Sequence, residues 1–159
     1  MSEPARIVFV CWGNICRSPM AEVVARAHAA RAGLHGVEFS SAGVSAEEAG
    51  NPMDPRAVDT LRAAGYRPAG HRAHRITADE ARSAAMLIGM EQLHLNRLRK
   101  LVPGIHDLYL LTDFDPASRP GTPIEDPWYG DPSDFEVALA QIEAAMPEVI
   151  RRARELVPA

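Results

Sequence analysis

The chain has 159 residues, 47% of them hydrophobic and 24% charged, which is enough for a buried core in one soluble domain and excludes a disordered or fibrous class. Its net charge of −4, with no basic run, argues against nucleic acid as a partner, and no apolar stretch reaches membrane-spanning length. Only two cysteines occur, Cys11 and Cys16, which gives no disulfide framework and fits a reducing compartment.

A single domain over residues 1–159 is therefore expected. Met1 to Arg6 is polar, so neither a leader peptide nor an anchor is expected. The cytoplasm is the expected compartment, with export by a route lacking a leader peptide left open.

In chain order, Ile7 to Val10 is an apolar run that reads as a buried strand. It stops at Cys11 and passes through a short loop holding Gly13, Asn14 and Ile15. At Ser18-Pro19 it meets a helical pattern, with Ser18 expected as N-cap and Pro19 at the first helical position. Met20, Val23, Val24, Ala27 and Ala30 recur at helical spacing up to Gly33. Val37 to Ser41 alternates as a second strand. Asp54-Pro55 opens a second helix with Val58 and Leu61 on its apolar face, and Gly65 stops it. Thr77 to Glu80 is a capping box for a third helix. Ala85 to Met90 reads as a buried strand, Glu91 to Leu101 as a short helix, and His106 to Leu111 as a fourth strand.

Asp113 to Pro132 carries five prolines and two glycines and reads as a long loop. Ser133 to Glu136 resembles a second capping box before a last helix, which Pro147 is expected to kink or break. Strands alternating with helices imply a four-stranded parallel sheet covered by helices on both faces, an α/β Rossmann-like domain with the first strand central. Ligands in such sheets sit at the carboxyl ends of strands, where Cys11 falls.

The residue types of that turn suggest chemistry. A free thiol with a pKa of about 8.5 is only about 3% thiolate at neutral pH. A helix N-terminus and a neighbouring guanidinium favour the ionised form, and the same surroundings bind a phosphoryl dianion. Arg17 can grip two phosphate oxygens bidentately. A nucleophile and an oxyanion trap in one loop point to attack of sulfur on phosphorus. Such a reaction needs a carboxylic acid to protonate the leaving oxygen, and Glu125-Asp126-Pro127-Trp128-Tyr129-Gly130 in the long loop offers one. No cofactor or metal is needed, and His71 and His74 lack an obvious set of co-ligands.

Cys11-Trp12-Gly13-Asn14-Ile15-Cys16-Arg17-Ser18-Pro19 resembles the active-site loop of the low-molecular-weight protein tyrosine phosphatases, and Asp126 to Gly130 resembles their Asp-Pro-Tyr-Tyr-Gly segment. The resemblance implies hydrolysis of phosphotyrosine in proteins, and of aryl phosphates, through a phosphocysteine on Cys11. Arg17 would then be the phosphate clamp and Asp126 the general acid and base. It further implies a bracing network of Asn14, Ser18, Ser41 and His71, with Ser18 donating to the Cys11 sulfur; Asn14 itself is expected at positive φ, which asparagine tolerates better than most residues. Cys16 would trap an oxidised Cys11, inorganic phosphate or vanadate would inhibit, and the protein would act as a monomer.

Three positions depart from the family pattern. Trp12 replaces a small or aliphatic residue, and either supplies an aromatic wall or crowds the entrance. Glu47 stands where an aromatic rims the pocket, and is expected to repel acidic peptides. Trp128 replaces the first tyrosine of the acid segment, leaving Tyr129. Among rival readings, an arsenate reductase would need further cysteines, an arginine phosphatase would carry Thr at Ile15, and a phosphate-binding pseudoenzyme is kept alive by Trp12.

Overall fold

The computed structural model describes residues 3–158; Met1, Ser2 and Ala159, the ends of the expected single domain, lie outside them. The strands are β1 (Ala5–Cys11), β2 (Val37–Gly43), β3 (Met86–Gly89) and β4 (Leu108–Leu110). The helices are α1 (Arg17–Arg31), α2 (Pro55–Ala63), α3 (Ala78–Ser83), α4 (Gln92–Leu101) and α5 (Pro132–Arg154). The sheet runs β2-β1-β3-β4 with every pairing parallel, so β1 is internal as expected.

Alternation along β1 divides the core. Ile7, Phe9 and Cys11 face the layer that contains Met20 and Val24 of α1, Leu61 of α2 and Ile142 of α5. Val8 and Val10 face the other layer, with Ala81 of α3 and Leu95 and Leu98 of α4. With both faces covered, β1 reads as a continuous apolar run. Its carboxyl end is correspondingly well fixed, and the loop 12–16 leaves from there.

Several boundaries differ from the sequence reading. Helix α1 begins at Arg17, with Cys16 before it and no side-chain cap, so Ser18 is not the N-cap. Its hydroxyl is drawn instead into the loop, where buried polar groups need partners. The buried stripe of α1 includes Ala21, Ala25 and Ala29, while Ala30 is exposed: small residues let the helix lie close to its neighbours. β2 extends to Gly43, and β4 shrinks to three residues because the chain tightens into a 3-10 turn over Leu111–Phe114. The helix α5 starts two residues earlier than expected, capped by Asp131 with Pro132 in the first turn. It also runs unbroken through Pro147. An interior proline costs roughly 3 kcal/mol. Beyond it, Val149 and Ile150 are buried, and each contributes roughly 1.5–3 kcal/mol. Packing outweighs the lost hydrogen bond. The Asp54 and Thr77 caps of α2 and α3 form as read.

Candidate active site

The loop after β1 is built around Asn14, which is fully buried and holds φ at 61°. Asparagine tolerates this left-handed backbone better than other non-glycine residues. Its side chain then satisfies three neighbours. Nδ2 donates to Ser18 Oγ at 2.9 Å and to Ser41 Oγ at 3.0 Å, and Oδ1 accepts from the His74 main-chain N–H at 3.1 Å. The Asn14 carbonyl lies 2.7 Å from His71 Nε2; a carbonyl can only accept, so that nitrogen carries the hydrogen. Ser41 in turn donates to Glu22 Oε1 at 2.9 Å. The four positions expected to brace the loop are thus in contact.

Gly43, at the end of β2, permits this packing. A Cβ there would stand 2.7 Å from the Trp12 carbonyl oxygen. Main-chain bonds from Val44 to Cys11 and from Ser45 to Trp12, both 3.0 Å, close the loop against β2.

Cys11 is buried, with its sulfur 3.3 Å from the Asn14 N–H and 2.9 Å from Ser18 Oγ. Ser18 Oγ already accepts from Asn14, so its own hydrogen is available to the sulfur; the alternative acceptor, the Ala42 carbonyl, is farther away at 3.4 Å. Arg17 is also buried, and its guanidinium is gripped from behind. Nη1 donates to Glu91 Oε2 at 2.6 Å and to the Ile124 carbonyl at 2.8 Å. Nη2 remains toward Asp126 Oδ2 at 3.5 Å. Asp126 caps the 3-10 turn Pro127–Tyr129, its Oδ1 accepting from the Trp128 N–H at 3.1 Å. Oδ2 is left without a main-chain partner.

These groups share one pocket of about 260 Å³, walled by Cys11, Trp12, Gly13, Ile15, Cys16 and Arg17, with Glu47, Asp126, Trp128 and Tyr129 around its mouth. Trp12 forms a wall and leaves the pocket open. Its indole N–H donates to Glu47 Oε2 at 3.2 Å, so two of the departures from the family pattern engage each other. Tyr129 is 93% exposed and touches only the rim. At Cys16, burial first, and the Asp54 carboxylate second, push the thiol well above the ordinary range, so it stays protonated at neutral pH. His71 and His74 go to separate partners, the Asn14 carbonyl and Glu80.

Sequence reasoning missed Glu91, His94 and Arg56. Glu91 lies two residues past β3, and a carboxylate near the carboxyl end of a strand was the available signal. His94, fully buried, accepts the Met90 and Glu91 N–H groups at Nδ1, both at 3.2 Å, and so fixes the turn that carries Glu91. Its Nε2 is 3.8 Å from Glu91 Oε2, too far for a hydrogen bond, and burial followed by the charge of Arg17 lowers its pKa to about 3. His94 is neutral. Arg56 clamps Asp54 and reaches the Trp128 carbonyl at 3.1 Å.

The low molecular weight protein-tyrosine phosphatase A of Mycobacterium tuberculosis is 42% identical over 151 residues, covering 92% of this chain and 90% of that protein. The low molecular weight protein-tyrosine-phosphatase of Streptomyces coelicolor is 39% identical over 157 residues, 96% of this chain and 95% of that one. Among solved structures, YfkJ from Bacillus subtilis superposes with a TM-score of 0.90 at 26% identity, covering 99% of both chains. The family model for low molecular weight phosphotyrosine protein phosphatases matches residues 6–157. The chain therefore belongs to the low molecular weight phosphotyrosine protein phosphatase family.

Proposed function

We propose that the protein hydrolyses phosphotyrosine in protein substrates through a phosphocysteine intermediate. The observation that carries this reading is the convergence of Cys11 Sγ, the Arg17 guanidinium and Asp126 Oδ2, which has no main-chain partner, on one pocket. The phosphoryl group binds in the loop against Arg17 and the loop N–H groups. Cys11 sulfur attacks phosphorus in line as the bond to the phenolic oxygen breaks, and Asp126 Oδ2 gives that oxygen a proton. Water then attacks the phosphocysteine, Asp126 takes its proton, and inorganic phosphate leaves. Sulfur departing as an anion carries no hydrogen, so Ser18 is the donor across their 2.9 Å contact. Positioning and preorganised donors supply most of the acceleration.

Trp12 serves as an aromatic wall for the ring, and Ile15 gives the loop an apolar lining suited to it. Inorganic phosphate and vanadate compete for the loop as inhibitors. Where a peroxide has oxidised Cys11 to the sulfenic acid, the Cys16 sulfur displaces its hydroxyl as water and forms a reversible disulfide, slowly because the Cys16 thiol is held protonated. The single domain acts as a cytoplasmic monomer; among the described residues no helix is long and apolar enough to cross a membrane.

Hydrolysis of p-nitrophenyl phosphate, with a chelator present, tests the reading in wild-type protein and Cys11→Ser. Turnover by the wild type that falls to background in the variant is expected. Wild-type protein that binds phosphate or vanadate without turnover would overturn the reading in favour of a phosphate-binding protein.

A further inference from the structure

Beside the pocket lies a second cavity of about 220 Å³, lined by Arg75, Arg97 and Lys100 over a floor that includes Val44, Ile76 and Leu98. No acidic residue lines it, although the chain as a whole carries a net charge of −4. None of the three cations has a carboxylate within salt-bridge distance among the described residues.

Two connections tie this cavity to Cys11. The Val44 N–H bonds the Cys11 carbonyl at 3.0 Å, and Arg75 bridges Gly43, the register partner of Cys11 on β2. Two strand spacings separate the Cys11 main chain from that of Arg75 by roughly 10 Å. Arg97 closes the gap: its guanidinium stacks over the Trp12 ring, 4.8 Å from the centroid, while Trp12 forms the pocket wall. An extended peptide covers roughly 10 Å in about three residues. Glu47 meets the same indole at its N–H edge, so negative charge lines the pocket mouth and positive charge the shoulder behind the wall.

We propose that this cationic shoulder is a specificity subsite that takes an acidic side chain of the substrate, within about three residues of the phosphotyrosine. The proposal rests on the phosphotyrosine reading above. Desolvation of the carboxylate stays small because the cations are exposed, and the contact acts mainly through charge complementarity. Acid is welcome on the Arg97 side and repelled on the Glu47 side, which gives the selectivity a direction.

The test compares three phosphotyrosine peptides with two glutamates before the phosphotyrosine, two glutamates after it, or alanines throughout. For the wild type, kcat/KM of the better glutamate peptide is expected to exceed that of the alanine peptide by about three- to tenfold, shrinking in high salt. The charge reversal R75E/K100E is expected to drive the ratio to one or below. Lys100→Gln, a milder change, should lower it part of the way. Because each ratio is taken within one enzyme, a general loss of activity cancels. A wild-type ratio near one, or a preference that survives both variants, overturns the subsite. Absence of p-nitrophenyl phosphate turnover would instead sink the phosphatase reading itself.

Discussion

The two halves of the site are built in opposite ways. In the phosphate loop, Asn14 and Ser18 are fully buried, the Arg17 side chain is 2% exposed, and each is held by several hydrogen bonds. In the acid loop, the Asp126 side chain is 41% exposed and Trp128 40%, and the segment is tied down by its own short turn, by Arg56 and by the 3.5 Å approach of Arg17 to Asp126. The difference follows from what each half must do. Binding a phosphoryl dianion calls for donors fixed before it arrives, since reorganising them during reaction would add to the barrier. Delivering a proton to variable leaving groups needs an acid that can approach, and weakly packed loops supply such motion.

The largest expected effect lies in the acid loop. Asp126→Asn keeps the Oδ1 cap but removes the transferable proton, so kcat for phosphotyrosine should fall by about 10²–10⁴-fold. The loss should be smaller for p-nitrophenyl phosphate, whose leaving group needs less protonation, and thermal stability should hold because the side chain is half-exposed. An equal fall for both substrates would count against Asp126 as the acid.

Asn14→Ala strikes the other half. It takes a partner from Ser18, Ser41 and the His74 N–H and puts alanine at positive φ. Unsatisfied buried groups cost about 1–3 kcal/mol each, and the backbone adds roughly 1–2 kcal/mol. Because Ser18 keeps Cys11 and Ser41 keeps Glu22, only the His74 N–H is left wholly unsatisfied, so a stability loss of about 2–5 kcal/mol in urea unfolding is expected, together with weakened phosphate binding. Asn14→Gly should recover the backbone part alone. If Asn14→Ala unfolds like wild type, the network is ornamental and the contrast between the halves fails.

The sequence exposes these halves unevenly. The strand–loop–helix turn was legible because its residues are contiguous: Cys11, Asn14 and Arg17 lie within one heptapeptide, and each residue type states its chemistry. Asn14 could be placed at positive φ from its type and the turn alone. Ser18 was misassigned as a cap because a serine before a proline satisfies the local rule, while its real partners, Cys11 and Asn14, are set by the tertiary fold of the loop. Pro147 misled for the same reason: local propensity says break, and buried side chains on the far side decide otherwise. Glu91 and Arg56 reach the site from 74 residues after Arg17 and 72 before Trp128, respectively. No local pattern announces contacts at that separation.

His94 sharpens the comparison through pH. Its pKa, lowered from 6.5 to about 3 in the folded protein, returns to the ordinary value on unfolding. Below pH 6.5 the unfolded chain takes up a proton that the folded chain refuses, so stability present at pH 7 drains away as the pH falls toward 3. At pH 5 the loss from this group is about 2 kcal/mol. His74 runs the other way, since Glu80 raises its pKa and its contribution fades as pH rises. The His94 share is therefore read as the difference between wild type and His94→Asn, whose stability should depend less on pH between 5 and 7. Parallel pH profiles in the two proteins would mean that folding does not lower the His94 pKa and that burial beside Arg17 leaves it untouched.

Arg56 carries the smallest effect and the most direct test of whether the halves are separable. Its Nε and Nη2 hold the two oxygens of Asp54 at 3.1 and 2.9 Å, and Nη1 donates to the Trp128 carbonyl at 3.1 Å. The guanidinium also stacks on Phe135 at 4.8 Å and Trp128 at 5.4 Å. It thus ties the acid loop to the start of α2 and the first turn of α5, without touching Cys11 or Arg17. Arg56→Ala should let the acid loop drift and lower kcat by about three- to tenfold, since a proton donor slightly out of place loses only part of its effect. The inhibition constant for vanadate should stay put, because the phosphate loop is braced through Asn14 and not through Arg56. A parallel change in both quantities would show that the loops are coupled through α2, whose Asp54 N–H bonds the Ile15 carbonyl at 2.9 Å. In that case the rigid half borrows some of its rigidity from the mobile one.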